Sequence, residues 1–276
     1  MTFDRSQIPA MPRIAAQAIQ LSNTPNVDMK QLVDLLSADI GIAAAILELA
    51  NSALFGSQGS TANLALALAR IGMDNLQNIL IKSAINEVFP LKNLPTEYGW
   101  RELWEHLLLS GQIAYRLAKH LHCPKPRDVQ MAALLHDVGI FLMGFGAPET
   151  LVEITNECKR FNKTFSEVES RFGNDFHGSF GQDLAMAWHL PISVVSAIRY
   201  HECNWRNELP SISSNHLQTL FVVSTANILA LNHGPRPIGF PAVQELRKDL
   251  FEGFYIDEGV MKNAVRESLE FLEQVR

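Results

Sequence analysis

Apolar residues recur at three- and four-residue intervals along nearly the whole chain, and runs of alternating β-branched residues are almost absent. The pattern predicts α-helices, with strands at most incidental. Proline and glycine punctuate it. The opening Ile8-Pro9-Ala10-Met11-Pro12 is too rich in proline for a helix, and Asn23-Thr24-Pro25-Asn26 separates a helix over Arg13 to Ser22 from the next. Asp28 and Asp39 are placed to cap helices over Met29 to Leu36 and Ile40 to Asn51, because a carboxylate can accept the amide hydrogens a first turn leaves unpaired. Gly56-Ser57-Gln58-Gly59-Ser60 interrupts the pattern. A helix from Asn63 to Ile71 is expected to stop at Gly72, with Asp74 capping another that reaches Phe89.

Pro90, Pro95 and Gly99 fall in a short polar stretch, which marks the expected junction near residue 95 between an N-terminal helical bundle and the remainder. Helical patterns follow over Trp100 to Leu121, Arg127 to Phe145, Pro148 to Arg160, Phe165 to Phe172, His177 to Trp188, Ile192 to His201 and His216 to Leu231. Two amphipathic segments complete the chain. No fixed-period repeat or low-complexity tract is visible.

With 276 residues, 47% hydrophobic and 19% charged, the chain can bury a substantial core. Its 23 basic residues against 29 acidic ones give a formal charge of −6, so nothing draws it generally toward phosphate backbones or anionic lipid. Nucleic acid and membrane are therefore poor partners. No stretch reaches the ~20 uninterrupted apolar residues of a membrane span, and no basic lead runs into an apolar stretch, so the expected compartment is the cytoplasm. Cys123, Cys158 and Cys203 are widely spaced and form no Cys-x-x-Cys pair, which points to reduced thiols rather than disulfides or a thiolate zinc site.

Four of the nine histidines carry information because their neighbours at helical spacing are small or apolar. His106 shares a face with Leu103, Leu109, Ile113 and Leu117, so its ring points inward, where it needs a hydrogen-bond partner or a metal. His136 and Asp137 lie between Ala132-Ala133-Leu134-Leu135 and Val138-Gly139, a helical stretch on which the pair projects about 100° apart and could share a cation. Gly139 leaves room beside them for another helix or a ligand. His177 opens one later helix; His201 closes another and is followed by Glu202. Mixed imidazole and carboxylate donors suit Zn, Fe, Mn or Co rather than Ca, and an ion so held can make a water acidic enough for phosphoester hydrolysis. Singly, each histidine is more often a hydrogen-bonded core residue than a ligand. His120 and His122 are expected in solvent, His189, His216 and His233 have no visible partner, and Phe141, Met143 and Phe145 read as core packing.

The order of motifs resembles the HDOD domain family. Asp39-Ile40-Gly41 leading into Ile46-Leu47-Glu48-Leu49-Ala50-Asn51-Ser52-Ala53-Leu54-Phe55-Gly56 is similar to its N-terminal signature, as are the proline-flanked opening and Ala67 to Gly72. Trp104-Glu105-His106, Leu134-Leu135-His136-Asp137-Val138-Gly139, His177 to Gly181, Trp188-His189-Leu190-Pro191 and Ala197-Ile198-Arg199-Tyr200-His201 follow in family order. The resemblance spans roughly residues 8 to 230. It implies an all-α fold, with residues 1–95 as an N-terminal helical bundle packed on residues 96–276, an HD-like helical domain that carries the pocket.

HDOD domains resemble the HD phosphohydrolases and the HD-GYP phosphodiesterases of cyclic di-GMP. By position His106, His136, Asp137, His177 and His201 match the metal ligands of those relatives, with Asp137 the catalytic candidate if the pocket is active. Asn227, in Ser224-Thr225-Ala226-Asn227, stands where the resemblance implies a final metal-binding aspartate. Glu202 stands where a second consecutive histidine is implied, and Glu102, one turn before His106, is a weaker extra ligand. Ile140 replaces the lysine usual in catalytic relatives, and Cys203-Asn204-Trp205-Arg206 replaces Gly-Tyr-Pro, so cyclic di-GMP hydrolysis is not expected. The nearest cations in sequence, Arg101, Arg171 and Arg199, offer little to clamp an anionic substrate. Two readings follow. The first is a signalling module with a degenerate pocket, which binds signalling proteins or a phosphorylated small molecule. The second is a working metal-dependent phosphohydrolase. The cofactor is a divalent Fe, Mn, Zn or Co ion, unless the pocket is metal-free.

Overall fold

The computed structural model describes residues 8–56, 59–172, 177–202, 214–240 and 255–275. Among them there are helices and no strands, as the periodicity predicts. The chain forms two units, one of Ala10–Pro90 with Glu270–Arg276, the other of Met1–Pro9 with Leu91–Leu269.

The smaller unit holds α1 (Arg13–Ser22), α2 (Met29–Ser37), α3 (Ile40–Ala50) and α4 (Leu64–Val88). Its helix starts follow the expected chemistry: the Asp28 carboxylate accepts from the Lys30 and Gln31 amides at 3.0 and 3.1 Å, and Asp39 accepts from Ile42 at 2.9 Å. α4 contains the break expected at Gly72, where φ of 75° and ψ of 169° require a residue without a Cβ and divide the element into a pair of helical runs. Asn51 has a structural task. Its side chain donates to the Thr61 carbonyl at 2.9 Å and accepts from the Thr61 amide at 2.8 Å, clasping the connection between α3 and α4. Leu32, Leu36, Ile46, Leu76 and Leu80 are fully buried.

The larger unit holds α5 (Trp100–His120), α6 (Pro126–Leu135), α7 (Val138–Gly146), α8 (Pro148–Phe161), α9 (Phe165–Glu169), α10 (His177–Ala187), α11 (Ile192–Tyr200), α12 (Ser214–His233) and the start of α13 (Glu258–Val275). α5 packs on α6 and α12, α11 on α6, α10 and α12, and α7 on α10. The α7–α10 contact depends on Gly139, where a Cβ would lie 1.8 Å from the His177 carbonyl oxygen. The earlier of the two amphipathic segments expected after Leu231 lies outside the described residues; the later one is α13.

Four expectations change. The helix expected over Arg127 to Phe145 is two helices, with Asp137 between them at φ −102° and ψ 15°. The His136 ring is the physical reason: its Nδ1 bonds the Ala133 carbonyl at 2.7 Å, the acceptor that residue 137 would use in an unbroken helix. Phe145 is 41% exposed rather than core, whereas Phe141 and Met143 are buried. The stretch Pro126–Gly146 is long and apolar enough by composition to cross a membrane, yet 89% of that window is buried inside the protein, which makes it core. The helix expected over Phe165 to Phe172 stops at Glu169.

Candidate metal centre

Five side chains meet in the larger unit. His106 comes from the middle of α5, His136 and Asp137 from the break between α6 and α7, His177 from the first residue of α10, and His201 from the residue that ends α11. None is more than 5% exposed. Asp137 is the hub: its Oδ1 lies 3.1 Å from His201 Nε2 and 3.4 Å from His177 Nε2, and its Oδ2 lies 3.2 Å from His136 Nε2. His106 Nε2 is 3.3 Å from His136 Nε2, and the Nε2 atoms of His177 and His201 are also 3.3 Å apart.

The opposite face of each ring fixes which nitrogen carries the proton. Carbonyl and carboxylate oxygens only accept, so a ring nitrogen bonded to one must be N–H. His136 Nδ1 donates to the Ala133 carbonyl, His201 Nδ1 to the Ile198 carbonyl at 2.8 Å, and His177 Nδ1 to Glu169 Oε1 at 2.7 Å. Three Nε2 atoms therefore face the buried Asp137 carboxylate, each a lone-pair donor to a cation when its ring is neutral and an N–H donor to Asp137 when its ring is protonated. Lone pairs aimed at one another repel unless a cation or proton lies among them. Such a donor set fits a divalent ion of the Zn, Fe, Mn or Co type. It divides into two groups with a ligand atom apiece in mutual reach, His106–His136–Asp137 and Asp137–His177–His201.

The electrostatics reflect the same arrangement. Burial alone would raise the Asp137 pKa, but the charge on His136 and the contacts from His136, His177 and His201 hold it well below the ordinary carboxylate range. Burial pulls His177 down, yet the Glu169 charge and the bonds to Asp137 and Glu169 outweigh it and leave the pKa well above 6.5. His136 is raised in the same way, Asp137 overcoming burial. His106 goes the other way, lowered to about 3 by burial and by the neighbouring His136.

Of the other residues singled out from the sequence, Glu202 lies at the edge of the cluster, 24% exposed, with Oε2 3.8 Å from His177 Nε2. Asn227 is buried on α12 beside His106. Glu102 is exposed on the first turn of α5 and is not among the clustered ligand atoms. His120, His122, His189 and His233 are exposed, and none of them joins the cluster. Ile140 is fully buried. Cys203 to Arg206 lie outside the described residues. Arg101 pairs with Glu105 at 3.0 Å, Arg171 pairs with Glu157 at 2.9 Å, and the Arg199 guanidinium sits over the Tyr200 ring.

Three contributors carry no signal in the sequence. Glu169 ends α9 and is buried; besides the His177 ring it accepts the His177 backbone amide at 2.9 Å through Oε2. Ser166 Oγ donates to Glu202 Oε2. Tyr98, from the polar junction, is buried with its hydroxyl unpartnered, and its pKa is raised well above 10, first by burial and then by Asp137, Cys158, Glu202 and Glu169.

Comparison with known proteins places this geometry. The family model of the HDOD domain matches residues 8–203. An uncharacterised protein of Treponema pallidum (strain Nichols) is 26% identical over 222 residues, covering 80% of this chain and 42% of that protein, so the chain spans less than half the length of this curated relative. Three crystal structures share the fold. An HDOD domain protein of unknown function from Geobacter sulfurreducens aligns with a TM-score of 0.80 at 23% identity, over 99% of this chain and 94% of that one. A Marinobacter aquaeolei VT8 protein provisionally named for signal transduction gives 0.79 at 20% identity, over 98% and 58%. A Shewanella amazonensis SB2B protein provisionally named a phosphohydrolase gives 0.72 at 20% identity, over 99% and 96%.

Proposed function

The chain belongs to the HDOD domain family, whose model covers most of its length, and on that premise we propose that it is a cytoplasmic signalling module. In this reading it acts by binding signalling proteins, around a buried metal pocket that no longer turns over phosphate esters. The observation that carries the reading is a mismatch inside one site. The donors that meet at Asp137 are shielded, with His136, Asp137 and His177 at most 1% exposed, while among the described residues the expected positions offer no unpaired cation to grip an anionic substrate. Ile140 supplies no charge, and Arg101 and Arg171 are paired with Glu105 and Glu157. The largest favourable influences on the Asp137 charge come from histidines.

His136, Asp137, His177 and His201 would hold the ion, with His106 and Glu202 at either side. A bound divalent ion supplies positive charge and Lewis acidity. The protein's own residues do the rest: Ala133, Ile198 and Glu169 keep three Nε2 atoms turned inward, and Gly139 lets the α10 backbone approach α7 at His177. An ion so enclosed ties the α6–α7 break, α10 and α11 together, which suits a module whose output is a stable binding surface.

The second reading, a metal-dependent phosphohydrolase, is favoured by one observation, the unpartnered oxygens of Asp137. The test is direct. The full chain, loaded in turn with Mn, Fe, Zn and Co, is assayed against generic phosphomonoesters and phosphodiesters. The proposal expects no turnover above that of an Asp137→Ala control; turnover that disappears in that control would establish the hydrolase.

A further inference from the structure

The short helix α9 touches the pocket from outside through three side chains. Glu169, 3% exposed, places one carboxylate oxygen on the His177 ring and the other on the His177 backbone amide. It thereby fixes the ring's tautomer and caps the first turn of α10 with the same group. Ser166, one turn earlier, donates to Glu202. Phe165 sets its ring edge-on against His177, with centroids 5.6 Å apart. The helix itself is anchored by the reciprocal Thr164–Glu167 capping box and by the Phe165 amide bonding the Gly239 carbonyl at 2.6 Å. Among the described residues no carboxylate serves His106 in this way: its Nδ1 is buried without a hydrogen-bond partner, and the Phe240 ring stacks on it with centroids 6.1 Å apart.

We propose that α9 is the positioning element of this pocket, and that Glu169, by holding His177 with its Nε2 lone pair toward Asp137, directs a single divalent ion to the Asp137–His177–His201 end. This rests on the metal-pocket reading above and adds which half of the cluster binds and which residue outside the ligand set decides it. A ring free to rotate or to exchange tautomers presents Nε2–H to the cation for a fraction of the time. Glu169 removes that freedom, and Ser166 keeps Glu202 at the same end as a further oxygen donor. Loss of such an outer carboxylate typically weakens metal binding by roughly 10–100-fold.

The experiment uses the full chain, stripped by chelator and titrated with Co(II), with the visible cobalt bands and competition against a chromophoric chelator as readouts. The wild type is expected to take one Co(II) per chain. Glu169→Ala should weaken binding within the range above and shift the cobalt bands, because His177 no longer presents a fixed nitrogen. Glu169→Gln retains an acceptor for Nδ1–H and should recover most of the affinity, which a purely structural role would not predict. Ser166→Ala should give a smaller loss, and His106→Ala should leave the cobalt bands in place. Wild-type affinity in Glu169→Ala would overturn the proposal, as would two Co(II) per wild-type chain or loss of the bands in His106→Ala. Should Glu169→Ala not fold, a Glu169→Gln variant with wild-type bands and a Ser166→Ala variant of reduced affinity would still support it, and the reverse pair would overturn it. A wild type that takes no Co(II) would defeat the pocket reading itself, an outcome distinct from unchanged binding in the variants.

Discussion

At one end of the cluster, His177 is held on its ring by Glu169 and lies 3.4 Å from Asp137 and 3.3 Å from His201. At the other, His106 meets the His136 ring at 3.3 Å and the stacked Phe240 ring, with its second nitrogen unpartnered and an uncharged amide, Asn227, alongside. Both rings are buried to the same degree. Their pKa values nevertheless diverge, one well above the ordinary value and the other near 3. Burial and the Asp137 charge are common to both, so the other neighbours make the difference: Glu169 serves one ring, while a neighbouring imidazole opposes protonation of the other. A pocket can thus keep a full complement of histidines and still be equipped to bind a cation at one end only.

The comparison breaks most completely at Asp137, which both ends share. Asp137→Ala should abolish metal binding, a loss far beyond the ~10–100-fold of an outer-carboxylate change, read as metal content after dialysis. The next effect falls on the end that is built to bind. Gly139→Ala drives a Cβ into the His177 carbonyl and should cost about 1–3 kcal/mol of stability or more, seen in urea unfolding. Its metal affinity should fall as well, since the backbone that must move is that of His177. Asn227→Asp sharpens the contrast from the other side by giving the His106 end an anionic donor. It should raise metal content toward two ions per chain by elemental analysis; unchanged content would mean that more than a carboxylate is missing there.

The smallest effect is on pH dependence. His106 stays neutral in the fold down to about 3, whereas in the unfolded chain it takes up a proton near 6.5. The unfolded state therefore binds more protons across that window, and the fold loses stability as pH falls from about 6.5 toward 3. His177, raised in the fold, has the opposite sign: its contribution is complete below about 6.5 and is lost as pH rises through the folded value. In chelator-treated protein, His106→Leu should lessen the stability lost between about pH 7 and about pH 5 in urea melts.

How much of this was legible in the chain depends on the reach of each interaction. The α1 to α3 starts, the Gly72 break and the inward face of His106 follow from spacing and from caps two or three residues away, as at Asp28 and Asp39. The Gly139 contact was foreseeable as missing bulk, though not what would fill the space. The break at His136-Asp137 was not, because an imidazole bonding its own helix at Ala133 leaves no trace in the apolar pattern, and the same bond at Ile198 lets His201 end α11. Glu169 was invisible for another reason. It lies eight residues from His177 and reads from the sequence as one more polar position on an amphipathic helix, whereas in the fold both its oxygens are committed to that histidine. Glu102 shows the converse, a carboxylate one turn from His106 that helical geometry leaves in solvent.

The account stands most directly on elemental analysis of the full-length chain after exposure to Mn, Fe, Zn and Co and removal of loosely held metal. It predicts one tightly held ion per chain, absent when Asp137 is replaced. A chain that emerges metal-free, or that keeps its ion without Asp137, would contradict it.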